Sequence, residues 1–226
     1  MRLRSLFLLD MRFQAKYGFY FLYAVLTIIY VIVLLAVPES WRENIAAILI
    51  FSDPASMGLF FMGAIVLLEK NQHTPCAFAV SPVRAEEYIA AKSGSLSVIS
   101  LVVAAVLALT ADMDRIHIIL SGTVISSMVF TLLAIIIATQ ITSLNQFILW
   151  TVPIEMICFV PAILHLFKIT PLWLRHYPIN ACMEMVSGYD PSIAGIFLVT
   201  ALLAILFYLT KYCVLKMWSS TGGVKL

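Results

Sequence analysis

YGFYFLYAVLTIIYVIVLLAV, residues 17–37, contains no charged side chain and ends against Pro38. A helix of about 20 apolar residues matches the hydrocarbon thickness of a bilayer. Working outward from it, five more stretches carry the same signature, at about 45–69, 93–110, 118–140, 144–168 and 191–212. The 226 residues are 62% hydrophobic and 12% charged, with a mean hydropathy of +1.02. A soluble domain is about half apolar and about a quarter charged. The expectation is an all-α polytopic membrane protein with six transmembrane helices, forming a single transmembrane domain over 1–226. The connections are too short for an extramembrane catalytic module.

Several function classes find no support. A net charge of +2 is too small to point to nucleic acid. Cys76, Cys158, Cys182 and Cys213 show no C-x-x-C spacing, so metal and thiol-redox motifs are missing. Cys158 and Cys182 either pair or act as small packing residues. His73, His117, His165 and His176 lie on separate segments without the i, i+4 spacing of metal ligands. No Ser/His/Asp arrangement is visible, so the chain is expected to be no enzyme and to hold no cofactor.

The N-terminal run from Leu6 to Leu9 is cut short by Asp10, Arg12 and Lys16. A signal peptide needs a longer apolar core, so this segment is expected to be retained. Residues 1–16 read as an interfacial helix, with Leu3, Leu6, Phe7, Phe13 and Tyr17 on one side and Arg12 and Lys16 opposite. Asp10 and Gln14 fall inside the apolar sector. Lipid contact alone does not explain them; contact with a protein partner does, and so does an untidy solvated helix.

After the first span comes a polar loop with Glu39, Arg42 and Glu43, and Trp41 is placed as an interfacial anchor. Ser52-Asp53-Pro54 interrupts the second span. Asp before Pro is a helix-start signature, which predicts a kink or break at Asp53. An ionisable group within a span is also a functional suspect by default. Cap and pathway residue are both open readings for Asp53. The same holds for Glu155, which sits between Pro153 and Pro161 in the fifth span.

The second span closes at Glu69-Lys70. NQHTPCAFAVSPVRAEEYIAAK, residues 71–92, is the longest polar connection, and its prolines set off a short helix at about 76–81. Between the fifth and sixth spans, residues 162–190 are broken by Pro171 and Pro178, and two short half-inserted helices fit there. Aromatics of the first two spans, among them Tyr23, Tyr30, Phe51 and Phe61, make either ordinary packing or a wall for a flat amphipathic ligand. Ser121, Gly122, Ser126 and Ser127 in the fourth span mark close helix approach.

An even number of spans places both termini on one side. That side collects Arg2, Arg4, Arg12, Lys16, Lys70, Arg84, Lys92, Lys211, Lys216 and Lys225, against Arg42, Arg115, Lys168 and Arg175 on the other. Positive residues stay in the cytoplasm. Both termini and the 70–92 connection are therefore expected to be cytoplasmic, in a bacterial plasma membrane.

The order of features resembles the type-2 ABC exporter permeases: an interfacial helix, six spans, a cytoplasmic coupling helix between spans 2 and 3, and broken outer half-helices between spans 5 and 6. Glu69, Lys70, Ser81, Pro82, Val83, Tyr88 and Lys92 match the stretch of that family in which a Glu-Lys pair precedes the coupling helix and Ser-Pro-Val follows it. DMRFQAKYGFYF and DPASMGLFFMGAIVLLEK resemble the fluoroquinolone-export permease branch. Where many relatives carry Glu-x-Gly-Thr, this chain has Gln72-His73-Thr74-Pro75.

The resemblance implies a transmembrane subunit paired with a second copy of itself or a related permease. It would be driven by separate ABC ATPase subunits that bind ATP and Mg. No G-x-x-x-x-G-K-[ST] loop occurs in this chain. The implied ATPase contacts are Glu69, Lys70, Gln72, Thr74, Phe78, Ser81, Arg84 and Glu86, with a second contact at Asp10, Gln14 and Lys16. The cargo would be an amphipathic small molecule, a lipid or a peptide. An ATPase-independent channel or secondary transporter, or a non-transporting scaffold, are the alternatives.

Overall fold

The computed structural model describes residues 2–53, 58–171 and 174–222. These form ten helices and no strand: α1 (Arg2–Lys16), α2 (Phe19–Ala36), α3 (Glu39–Ser52), α4 (Leu59–Asn71), α5 (Thr74–Val80), α6 (Ala85–Thr110), α7 (Ile116–Gln140), α8 (Leu144–Leu166), α9 (Pro178–Val186) and α10 (Ile193–Gly222). Five of them, α2, α6, α7, α8 and α10, are each long and apolar enough to cross a membrane. The protein is thus an all-helical, multi-pass membrane protein. The second expected span is two helices, α3 and α4, and neither qualifies alone.

Pro38 ends α2 and starts α3, since its fixed φ suits a helix entry and it offers no N–H for continuing the previous helix. Glu39, Trp41, Arg42 and Glu43 consequently sit in the first turns of α3 and not in a loop, a correction to the sequence reading. Asp53 does not have the extended backbone of an N-cap: its φ of −61° and ψ of −57° continue the helix, and its N–H donates to the Leu49 carbonyl. Pro54, the other half of the expected signature, lies outside the described residues, as does Lys225.

Between α1 and α2, Gly18 adopts φ 77°, the left-handed region in which a side chain would be strained, and lets the interfacial helix turn into the first span. α6 and α7 form the centre of the bundle. Their facing surfaces are lined by hydroxyls and small residues, and Ser97 Oγ meets Ser127 Oγ at 3.3 Å. The hydroxyls of Ser97, Thr123 and Ser126 also bond back to carbonyls one turn earlier in their own helices. That satisfies them away from water and permits close helix approach. Gly122 abuts α9 so closely that a β-carbon there would lie 2.6 Å from Met185 Cβ.

α8 remains helical through Pro153 and Pro161. Proline cannot donate to the carbonyl four residues earlier. For Pro161 that carbonyl is Ile157, and the Tyr177 hydroxyl donates to it at 3.2 Å. The bond satisfies a carbonyl that the second proline leaves without its helical donor, and it pins the start of α9 to the middle of α8. Among the described residues the stretch between α8 and α10 holds one α-helix, α9, and a 3₁₀ turn at Leu174, while Leu172 and Trp173 lie outside them; α8 itself extends to Leu166, into the region where the two half-helices were expected. Cys158 and Cys182 are both buried and both free thiols. α6 starts eight residues earlier than the expected third span, and α10 runs ten residues past the expected sixth.

Candidate functional site

Three residues of α6 share one face at i, i+4 and i+7: Tyr88, Lys92 and Ser95. On α1, Asp10 and Gln14 are likewise one turn apart. Lys92 is 1% exposed and its Nζ reaches Glu69 Oε1 of α4 at 2.7 Å and Asp10 Oδ1 of α1 at 3.1 Å. The Tyr88 hydroxyl donates to the other Glu69 oxygen at 2.7 Å, and Lys92 Nζ lies 4.9 Å from the Tyr88 ring centroid. Gln14 Nε2 donates to Ser95 Oγ at 2.9 Å. One buried ammonium thus holds two carboxylates from two other helices. A buried charge of this kind persists only when paired, so α1, α4 and α6 are locked together at this end of the bundle.

The short helix α5 is keyed into the same cluster. Its Phe78 ring lies 5.4 Å from Tyr88 and 5.8 Å from Trp218 of α10, and Tyr88 lies 5.7 Å from Trp218. Ser81 closes α5 by donating to the Phe78 carbonyl at 2.9 Å and accepting from the Val83 N–H at 3.3 Å. Arg84 follows as the first cap of α6, its N–H donating to Glu87 Oε2 at 3.0 Å. Beside this aromatic triad is a cavity of about 420 Å³ lined by Phe78, Ser81, Arg84, Glu86, Lys211 and Trp218.

The remaining expected contacts are distributed as follows. Lys70 Nζ donates to the Ala138, Thr139 and Ile141 carbonyls at 3.2, 3.1 and 2.5 Å. It thereby caps the C-terminus of α7, where a cation is favoured and carbonyls lack helical partners. Glu86 pairs with Lys211 of α10 at 2.6 Å, and Gln72 donates to the Tyr17 hydroxyl at 3.1 Å. Thr74 is half-buried in the first turn of α5, and Lys16 is exposed. Glu69, Asp10 and Gln14 therefore face inward onto this chain's own helices, and the surface left outward is Gln72, His73, Ala77, Val80, Pro82 and Arg84. Asp53 and Glu155 do not join the cluster. Asp53 is 1% exposed in the core, and Glu155 is half-buried on α8, near Cys158.

Trp218 escaped the sequence reading because the last span was expected to end at residue 212, and Lys211 was read only as a cytoplasmic charge, since its partner Glu86 lies 125 positions away. The spacing of Tyr88, Lys92 and Ser95 is the signal that would have found the α6 face. A lysine on the inward face of an apolar helix demands a carboxylate from elsewhere.

An all-helical bundle with several long apolar helices belongs to the class of multi-pass membrane proteins. The family model described as the fluoroquinolones export permease protein family matches residues 1–218. The chain belongs to that family. It is 31% identical over 140 residues to curated proteins from two Mycobacterium tuberculosis strains, CDC 1551 / Oshkosh and H37Rv, each called a fluoroquinolones export permease protein. The match covers 61% of this chain and 59% of theirs, so the chain spans about three-fifths of the length of these relatives.

Proposed function

We propose that this protein is the transmembrane subunit of a type-2 ABC exporter, driven by separate ATPase subunits that bind ATP and Mg. In this reading α3 and α4 together make the second of six crossings. Both termini and the α4–α5–α6 connection face the cytoplasm, as the distribution of Lys and Arg favours. Two permease chains, identical or related, enclose the path. The cargo is an amphipathic small molecule of the kind named for the relatives, which would make the complex a multidrug efflux system.

The observation that carries the reading is the keying of α5. Phe78 sits against Tyr88 and Trp218, and Tyr88 is hydrogen-bonded to the Glu69 that Lys92 and Asp10 share. A push on α5 is thus delivered to α1, α4, α6 and α10 at once, as a rigid-body displacement and not as a local loop deflection. The exposed side of α5 is the surface left for the ATPase. Val80 is 79% exposed there, whereas Lys70 and Glu86 make contacts inside this chain.

The test is co-purification from a strain expressing the chain with a candidate ABC ATPase subunit from the same organism. The wild type should retain the ATPase at one-to-one stoichiometry and move cargo only with ATP. Val80→Asp should remain membrane-inserted and thermally stable yet lose ATPase capture and efflux. Transport by the reconstituted chain alone would refute the assignment.

A further inference from the structure

Asp53 is the most deeply placed carboxyl outside the Lys92 cluster, at 1% exposure. Neither of its oxygens has a hydrogen-bond partner among the described residues, and the hydroxyls of Tyr23 and Ser100, both on buried residues, are also unpartnered. Ser100 of α6 is the hydroxyl turned toward the Asp53 carboxyl, near enough to act on it as a donor though outside good hydrogen-bond geometry, and Tyr23 and Tyr30 of α2 interact with it electrostatically. Ser52, beside it, turns its hydroxyl onto the Leu49 carbonyl at 2.9 Å.

Among the described residues no ion pair reaches this carboxyl. Lys92 lies eight residues before Ser100 on α6, about 12 Å along the helix, and is already held by Asp10 and Glu69. On α8, Glu155 neighbours Cys158, and His165 is bonded to Glu184 of α9 at 2.7 Å. His117 stands in the first turn of α7. α3 offers 14 residues on one side of Asp53 and α4 offers 13 on the other. α3 alone places the acid about 21 Å of helix from Glu39. An ionised, unpaired carboxylate at such depth is severely unfavourable, and the group neutralises instead.

We propose that Asp53 is a membrane-embedded proton-binding site. Its carboxyl carries a proton in this conformation, with the Ser100 hydroxyl facing it and Tyr23 and Tyr30 of α2 within its electrostatic field. It releases the proton only in a conformation that admits water or a cation beside it. Proton binding and the conformation of the bundle are then linked, because the closed arrangement binds the proton and an opened one does not need it. The ligand of this site is the proton itself.

The test needs neither ATPase nor cargo, so its failure is separable from failure of the transport assignment. Wild-type protein in phosphatidylethanolamine–phosphatidylglycerol vesicles is treated with dicyclohexylcarbodiimide, an apolar reagent that modifies protonated carboxyls in membranes. Adducts are then mapped by mass spectrometry from mildly acidic to alkaline pH. An adduct at Asp53 that declines as pH rises and is indifferent to sodium supports the proposal. Absence of the adduct at every pH overturns it, and so does protection by sodium at constant pH, which would make the site one for a metal ion. As a second readout, the infrared band of a protonated carboxyl in an apolar setting should be lost in Asp53→Asn. A wild-type spectrum without that band refutes the proposal whether or not the variant folds.

Discussion

Lys92 is the residue on which one end of the bundle depends. Removing its ammonium leaves Asp10 and Glu69 buried without a counter-charge. Breaking a buried pair on one side costs about 3–5 kcal/mol, whereas replacing all partners with neutral groups is far milder. Lys92→Met should therefore lose about that much stability in detergent, read by thermal unfolding. Adding Asp10→Asn and Glu69→Gln should recover much of it. Tyr88→Phe removes one hydrogen bond to a carboxylate but keeps the ring against Phe78 and Trp218. The expected loss is about 1.5–3 kcal/mol, with ATPase capture retained. Asp10 and Gln14 stood out in the sequence as polar residues on an apolar face. Their partners lie 82 and 81 positions away, a distance that no local pattern bridges.

Among the elements, α8 and α9 illustrate what periodicity conceals. Two prolines inside an apolar run suggest interruption, yet α8 continues through both, and Tyr177 supplies the donor that Pro161 lacks. Tyr177→Phe leaves the Ile157 carbonyl unsatisfied. It should cost about 1–3 kcal/mol and loosen α9, seen as faster hydrogen exchange across residues 178–186. Gly122 plays the complementary part on α7. A methyl group there meets Met185 Cβ at 2.6 Å and the Val186 N at 2.9 Å, so Gly122→Ala should destabilise the α7–α9 contact by about 1–3 kcal/mol in the same unfolding assay. The small residues of α7 were legible as a packing face. That α9, and not another crossing helix, occupies it was not, because small residues specify closeness without specifying the neighbour.

At the scale of the whole molecule, α2, α8 and α10 turn long apolar surfaces outward, with Phe21, Leu149, Trp150, Phe197 and Tyr208 all more than half exposed. A soluble monomer does not expose such continuous apolar area; a bilayer covers it. The orientation proposed from Lys and Arg is tested by cysteine labelling in an otherwise cysteine-free chain. Ala77→Cys on α5 should react with an impermeant maleimide only in inverted vesicles, and Asp190→Cys only in right-side-out cells. The reverse pattern would place α5 outside and remove the surface proposed for the ATPase.

Membrane residence and helical class followed from composition and apolar run length alone, because each crossing must satisfy its backbone internally and match a fixed thickness. A short helix at α5 was likewise readable from the flanking prolines. Which buried charges meet was decided only by the tertiary structure. Glu69, Asp10 and Lys92 come from three helices, and a desolvated ion pair is a property of their packing, not of any segment. The isolation of Asp53 has the same origin, since a carboxyl is orphaned only by what its neighbours on α2 and α6 fail to provide.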